Sequence, residues 1–92
     1  MTDITIYTSG SGGNFIQQKT TQLNNLVLGL VKKEAKIVYI DMPGTEDIKK
    51  MIREKTGKLG VWPLLFKGDN YIGTLDDCVD LNEAEELKPM LL

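Results

Sequence analysis

The sequence predicts a three-layer α/β domain, a four-stranded mixed sheet flanked by helices. Three observations predict it. Apolar residues switch between strand-like and helix-like spacing in the order strand, helix, strand, helix, strand, strand, helix. Ile37-Val38-Tyr39-Ile40 is a continuous apolar run, the pattern of a strand buried on both faces. Leu64-Leu65-Phe66 and Tyr71-Ile72 flank Gly68-Asp69-Asn70, which signals a hairpin. A strand–helix–strand unit makes the first two strands parallel, and the hairpin adds the other two.

Each element has its own grounds. Ile4, Ile6 and Tyr7 suggest the first strand. Ser9 to Gly13 reads as a loop, with three glycines in five residues. Phe15, Leu23, Leu26, Val27, Leu30 and Val31 recur at helical spacing, which predicts a helix from about Asn14 to Val31. Gly29 weakens it by about 1 kcal/mol relative to Ala. Asp41-Met42-Pro43-Gly44 ends the second strand. Thr45 is the expected N-cap of the next helix, with Glu46 and Asp47 in the first turn, where the helix dipole favours anions. Ile48, Met51 and Ile52 give that helix a narrow apolar face, and Lys55 and Gly57 suit its end. Thr74 and Asp77 have capping-box spacing and would start a helix holding Cys78, Val79 and Leu81. Pro89 belongs in the first turn of a short last helix.

Composition bounds the function. Ninety-two residues make a single domain, 1–92, with no internal repeat or linker. The net charge of −2 argues against nucleic acid, which needs a surplus of Lys and Arg. No apolar run approaches the roughly 20 residues of a membrane helix. Met1-Thr2-Asp3 lacks the features of a secretion signal, and one Cys cannot close an internal disulfide; both fit a reducing, cytoplasmic location. Histidine is absent, which removes the commonest general base and zinc ligand. No catalytic residue, metal ligand or cofactor is expected.

Four places carry a resemblance to a known family: Ile6-Tyr7-Thr8-Ser9, Trp62-Pro63, Gly68-Asp69-Asn70-Tyr71-Ile72-Gly73, and the acidic helix running into Glu86-Leu87 and an apolar end. In this order the chain resembles the glutaredoxin branch of the thioredoxin-like fold. It is most similar to the SH3-domain-binding glutamic-acid-rich protein-like family, glutaredoxin relatives that mostly lack catalytic cysteines. The resemblance spans Ile4 to Leu91. It implies a cis Pro63 and a reactive thiol in the loop before the first helix, where this chain has Ser9-Gly10-Ser11-Gly12-Gly13. A serine hydroxyl stays protonated without an adjacent base and cannot replace that thiolate. The stretch Val61-Trp62-Pro63-Leu64-Leu65-Phe66 has one proline and no P-x-x-P, so it does not read as a polyproline II ligand.

The candidate site follows from the resemblance, and each part has a plainer alternative. Ser9, Gly10, Ser11, Gly12 and Gly13 form either a flexible connector or a weak anion or peptide contact, since free N–H groups at a helix start can hold an anion. Trp62 and Pro63 either line a groove for an extended ligand or pack as part of the core. An exposed Trp62 would make a good protein anchor. Gly73, Thr74, Leu75 and Asp76 stand where glutathione-binding relatives hold the γ-glutamyl end, or simply cap a helix. Cys78 reads as a buried structural thiol. Lys32, Lys33, Lys36, Lys49, Lys50, Arg53, Lys55 and Lys58 fall mid-chain, and Asp76, Asp77, Asp80, Glu83, Glu85 and Glu86 near the end. These are solvated faces or complementary docking patches.

The expected function is a non-catalytic, monomeric module for protein–protein interaction or modulation, with an unidentified protein partner. The alternative is a glutathione-binding protein without disulfide reductase activity. A third reading is a module of a longer protein, with Met90-Leu91-Leu92 packing at home or meeting a partner chain.

Overall fold

The computed structural model describes residues 4–10, 13–57 and 62–92. Its elements are β1 (Ile4–Thr8), α1 (Gly13–Val31), β2 (Lys36–Tyr39), α2 (Glu46–Thr56), β3 (Leu64–Lys67), β4 (Asn70–Thr74), α3 (Leu75–Glu83) and α4 (Leu87–Leu91). The strands form one sheet in the order β2-β1-β3-β4. β1 runs parallel to β2 and antiparallel to β3, and β3 and β4 form the antiparallel hairpin. The mixed sheet and its helices are those the apolar spacing predicts.

Strand alternation divides the interior in two. Ile6 and Leu65 point to one face and pack with Leu23 and Val27 of α1, Cys78 of α3, and Leu87 and Leu91 of α4. Leu64 and Phe66 point to the other and meet Ile52 of α2, with Tyr7, Ile48, Met51, Trp62 and Tyr71 around them. The three layers are therefore α1/α3/α4, sheet and α2. Thr20 adds a polar stitch between α1 and β1. Its hydroxyl donates to the Ile16 carbonyl at 2.8 Å and lies 2.8 Å from the Thr8 hydroxyl. A hydroxyl has one proton, so Thr8 is the donor in the second bond. Asn24 accepts from the Ala35 N–H at 3.1 Å and fixes the return to β2.

Three expectations change. β2 is not buried on both faces. It is an edge strand, with Lys36 and Tyr39 exposed and Ile37 and Val38 half-buried. The strand buried on both faces is β3, where Leu64, Leu65 and Phe66 are all fully covered. Thr45 stands at the N-cap of α2 but makes no side-chain cap. Its buried hydroxyl points back to the carbonyls of Ile40, at 2.6 Å, and Met42, at 2.8 Å, and holds the β2–α2 loop closed. The hairpin turn is Gly68-Asp69 alone, because Asn70 already pairs with Lys67. Elsewhere the local signals hold. Gly57 closes α2 in the left-handed conformation, at φ 68°, and its N–H reaches the Arg53 carbonyl. Thr74 and Asp77 form the full capping box of α3.

Candidate functional site

The sheet register brings the candidate segments to one end of the molecule. Thr8 pairs with Tyr39, Tyr7 with Leu64, and Leu64 with Thr74. The exits of β1, β2 and β4 and the entry to β3 therefore share one edge of the sheet. Ser9 and Gly10, Asp41, Trp62 and Pro63, and Gly73 to Asp76 all emerge there. Ser11 and Gly12 lie outside the described residues, as does Val61.

Ser9 is buried and Gly10 exposed. The Gly10 N–H donates to the Asp41 carboxylate at 3.1 Å, tying the loop after β1 to the exit of β2. Sequence reasoning gave Asp41 no such role. Its signal was its place just past the end of a parallel strand, where loops of neighbouring strands meet. Gly13 opens α1 at φ 77° and is exposed.

The Trp62–Pro63 peptide bond is cis, and Pro63 is buried. Trp62 is half-buried against Ile52 and its neighbours, so it is no free-standing aromatic anchor. Part of the ring serves the α2-side core. Beside it Tyr7 meets Phe66 edge-on at 5.1 Å, and Phe66 tilts against Tyr71 at 5.4 Å. Burial raises both tyrosine phenols, helped by Asp69 at Tyr7 and by Asp77 and then Cys78 at Tyr71.

At the β4–α3 junction the Thr74 N–H donates to the Asp77 carboxylate at 3.1 Å, and the Asp77 N–H to the Thr74 hydroxyl at 3.3 Å. The capping reading of this segment is thus realised. It engages Asp77, while the Asp76 side chain is exposed. Gly73 allows a close approach of α3, because a Cβ there would sit 2.6 Å from the Asp77 Cβ.

Cys78 lies one turn into α3, facing the α1-side core with no exposed surface. Burial, reinforced by the Asp77 charge, pushes its thiol up to about 12. It is the only cysteine of the chain. Among the described residues no cluster of three His, Cys, Asp or Glu is placed to hold a metal, and no helix is long and apolar enough to cross a membrane. A cleft of about 490 Å³ lies at the opposite end of the sheet, between Leu30, Asn82, Lys88, Pro89 and Leu92.

No protein-family model and no curated protein matches the chain. Solved structures do. The Candida albicans (C. albicans) actin interacting protein Aip5 is 24% identical with a TM-score of 0.79, over 98% of this chain and 88% of that one. The dithiolic glutaredoxin 2-C-Grx1 of Trypanosoma brucei brucei is 17% identical with a TM-score of 0.74, over 99% and 88%. Holo glutaredoxin C1 of Populus tremula x tremuloides is 25% identical with a TM-score of 0.68, over 96% and 81%. The fold is thioredoxin-like, of the glutaredoxin type.

Proposed function

We propose that this single-domain chain is a cytoplasmic, non-catalytic glutaredoxin-like module that binds a protein partner, akin to the SH3-domain-binding glutamic-acid-rich protein-like family. One observation carries the reading: the only thiol is Cys78, enclosed in the core and held protonated, while the loop after β1 has Ser9-Gly10-Ser11-Gly12-Gly13 where glutaredoxin relatives place a thiolate. Disulfide exchange starts from an accessible thiolate. The contact surface is the sheet end formed by Ser9, Gly10, Gly13, Trp62, Pro63 and Gly73 to Asp76, and an extended segment would pair with the backbone beside Pro63. Similarity to Aip5, an actin interacting protein, supports a binding role.

A second reading, a glutathione site without its chemistry, is favoured by the exposed Asp76 carboxylate at the α3 start, on the same edge as cis-Pro63. Amide spectra of labelled protein, titrated first with monomeric actin and then with reduced glutathione, test both. Shifts at Gly10, Trp62 and Gly73–Asp77 with actin support the first reading. The same shifts with glutathione alone support the second. Actin shifts confined to α2 or the far ends of the strands would place the contact elsewhere and overturn the site.

A further inference from the structure

The solvent face of α1 has a composition unlike the rest of the surface. The chain is 26% charged, yet the 19 residues of α1 carry one charge, Lys19. That ammonium is folded over the Phe15 ring, 4.5 Å from its centre. Thr20, Leu23 and Val27 face the core. Directly opposite, Phe15, Gln18, Thr21, Gln22, Asn25 and Leu28 are all exposed and span an arc of about 140° at 3.6 residues per turn. Phe15 is 67% exposed, the most of any described large hydrophobic residue but Leu92. A shallow trough of about 420 Å³ runs along this face past Gln18 and Gln22. Aromatic enrichment and loss of charge are the marks of a contact surface.

We infer that α1 is a self-association face, where two copies of this chain pair their α1 helices antiparallel about a two-fold axis between Thr21 and Gln22. The face is complementary to itself. An uncharged surface offers nothing to steer a charged partner, and it does not repel its own copy. Side-chain amides donate and accept, so an amide face can satisfy an identical one. The order of residues is matched about the proposed axis. Phe15 comes level with Leu28 and Gly29 of the partner subunit, and Gln18 with Asn25 of the partner subunit. Thr21 comes level with Gln22 of the partner subunit, and Gln22 with Thr21 of the partner subunit, as a two-fold contact requires. Nothing lies within 4 Å of where a Gly29 side chain would start, so that turn is open to the Phe15 ring. A helix of this length is about 28 Å long. One such pair buries less than a standard interface of about 1,600 Å², so the dimer is weak. The inference replaces the monomer expected from sequence, and it does not depend on the binding reading above.

Sedimentation velocity on the full chain from about 10 μM to about 1 mM, a range that captures weak dimers, tests it. The sedimentation coefficient of the wild type should rise with concentration. Gln18→Lys with Asn25→Lys sets like charges across the axis and should weaken the dimer at least about tenfold. Gln18→Glu with Asn25→Lys sets unlike charges there and should dimerise at least as tightly as the wild type. Both positions are exposed in the monomer, and matching circular dichroism confirms the fold of each variant. A single-copy species through the whole range would overturn the inference. So would a dimer indifferent to the paired lysines, or equal loss in both double variants.

Discussion

Cys78 and Gly73 are both tied to Asp77, and both can be tested one substitution at a time. The Cys78 thiol ordinarily titrates near 9.0, and burial followed by the Asp77 charge pushes it to about 12. The unfolded chain therefore loses this proton first. Stability from this group is full below about pH 9 and falls as pH rises toward 12. Tyr7 and Tyr71, both raised above 10.0, act in the same direction at higher pH. Urea midpoints should drop between neutral and alkaline buffer, and Cys78→Ala should flatten that drop. A thiol reagent at pH 8 should leave native Cys78 unmodified and label it in urea; labelling at the same rate in both would refute its enclosure. Gly73→Ala should destabilise by about 1–3 kcal/mol, as overpacking does, because its Cβ meets the Asp77 Cβ at 2.6 Å. No sequence pattern disclosed that contact. The glycine was legible only as part of a family-like hairpin, since the clash depends on the angle at which α3 leaves β4.

The helix starts separate local information from tertiary information. Thr74 and Asp77 are three residues apart, and their capping box forms as the spacing says. Thr74→Ala should cost about 1 kcal/mol, read from denaturant unfolding. Thr45 has the same residue type in the same kind of place, yet its hydroxyl serves the carbonyls of Ile40 and Met42. Thr45→Ala should therefore cost about 1–3 kcal/mol by removing the one hydroxyl proton that these two carbonyls share. Thr45→Ser, which keeps the hydroxyl, should recover most of the loss. The same division explains β2 and β3. Both are short apolar runs, and periodicity alone does not say which strand takes the centre of the sheet. That order is set by β1 pairing with β2 on one side and β3 on the other.

At the scale of the whole molecule, the order of elements along the chain was legible, while the order of strands across the sheet was not. The family resemblance, and no local pattern, joined Ser9 to Gly13, Trp62-Pro63 and Gly73 to Asp76 into one candidate groove. The register, Thr8 with Tyr39 and Leu64 with both Tyr7 and Thr74, is the physical reason that Ser9, Gly10, Trp62, Pro63 and Gly73 to Asp76 share one end of the sheet. It also brings in Asp41, whose bond to the Gly10 N–H spans the β1 and β2 exits. Asp41→Asn keeps an acceptor but removes the charge that strengthens this bond. The Gly10 amide resonance should move upfield while Cys78 and the core resonances stay in place. Lys32, Lys33, Lys36, Lys50, Arg53 and Lys55 of the middle and the acids of the end fall on exposed positions, Lys49 is half-buried, and Lys58 lies outside the described residues.

The central proposal, a glutaredoxin-like scaffold that binds without thiol chemistry, is tested most directly by an assay of glutathione-dependent reduction of a small mixed disulfide. The wild type and Cys78→Ala should both match the uncatalysed rate, because the one thiol is enclosed and protonated at neutral pH. Turnover by the wild type that disappears in Cys78→Ala would show that this thiol reaches substrate, and would contradict the proposal.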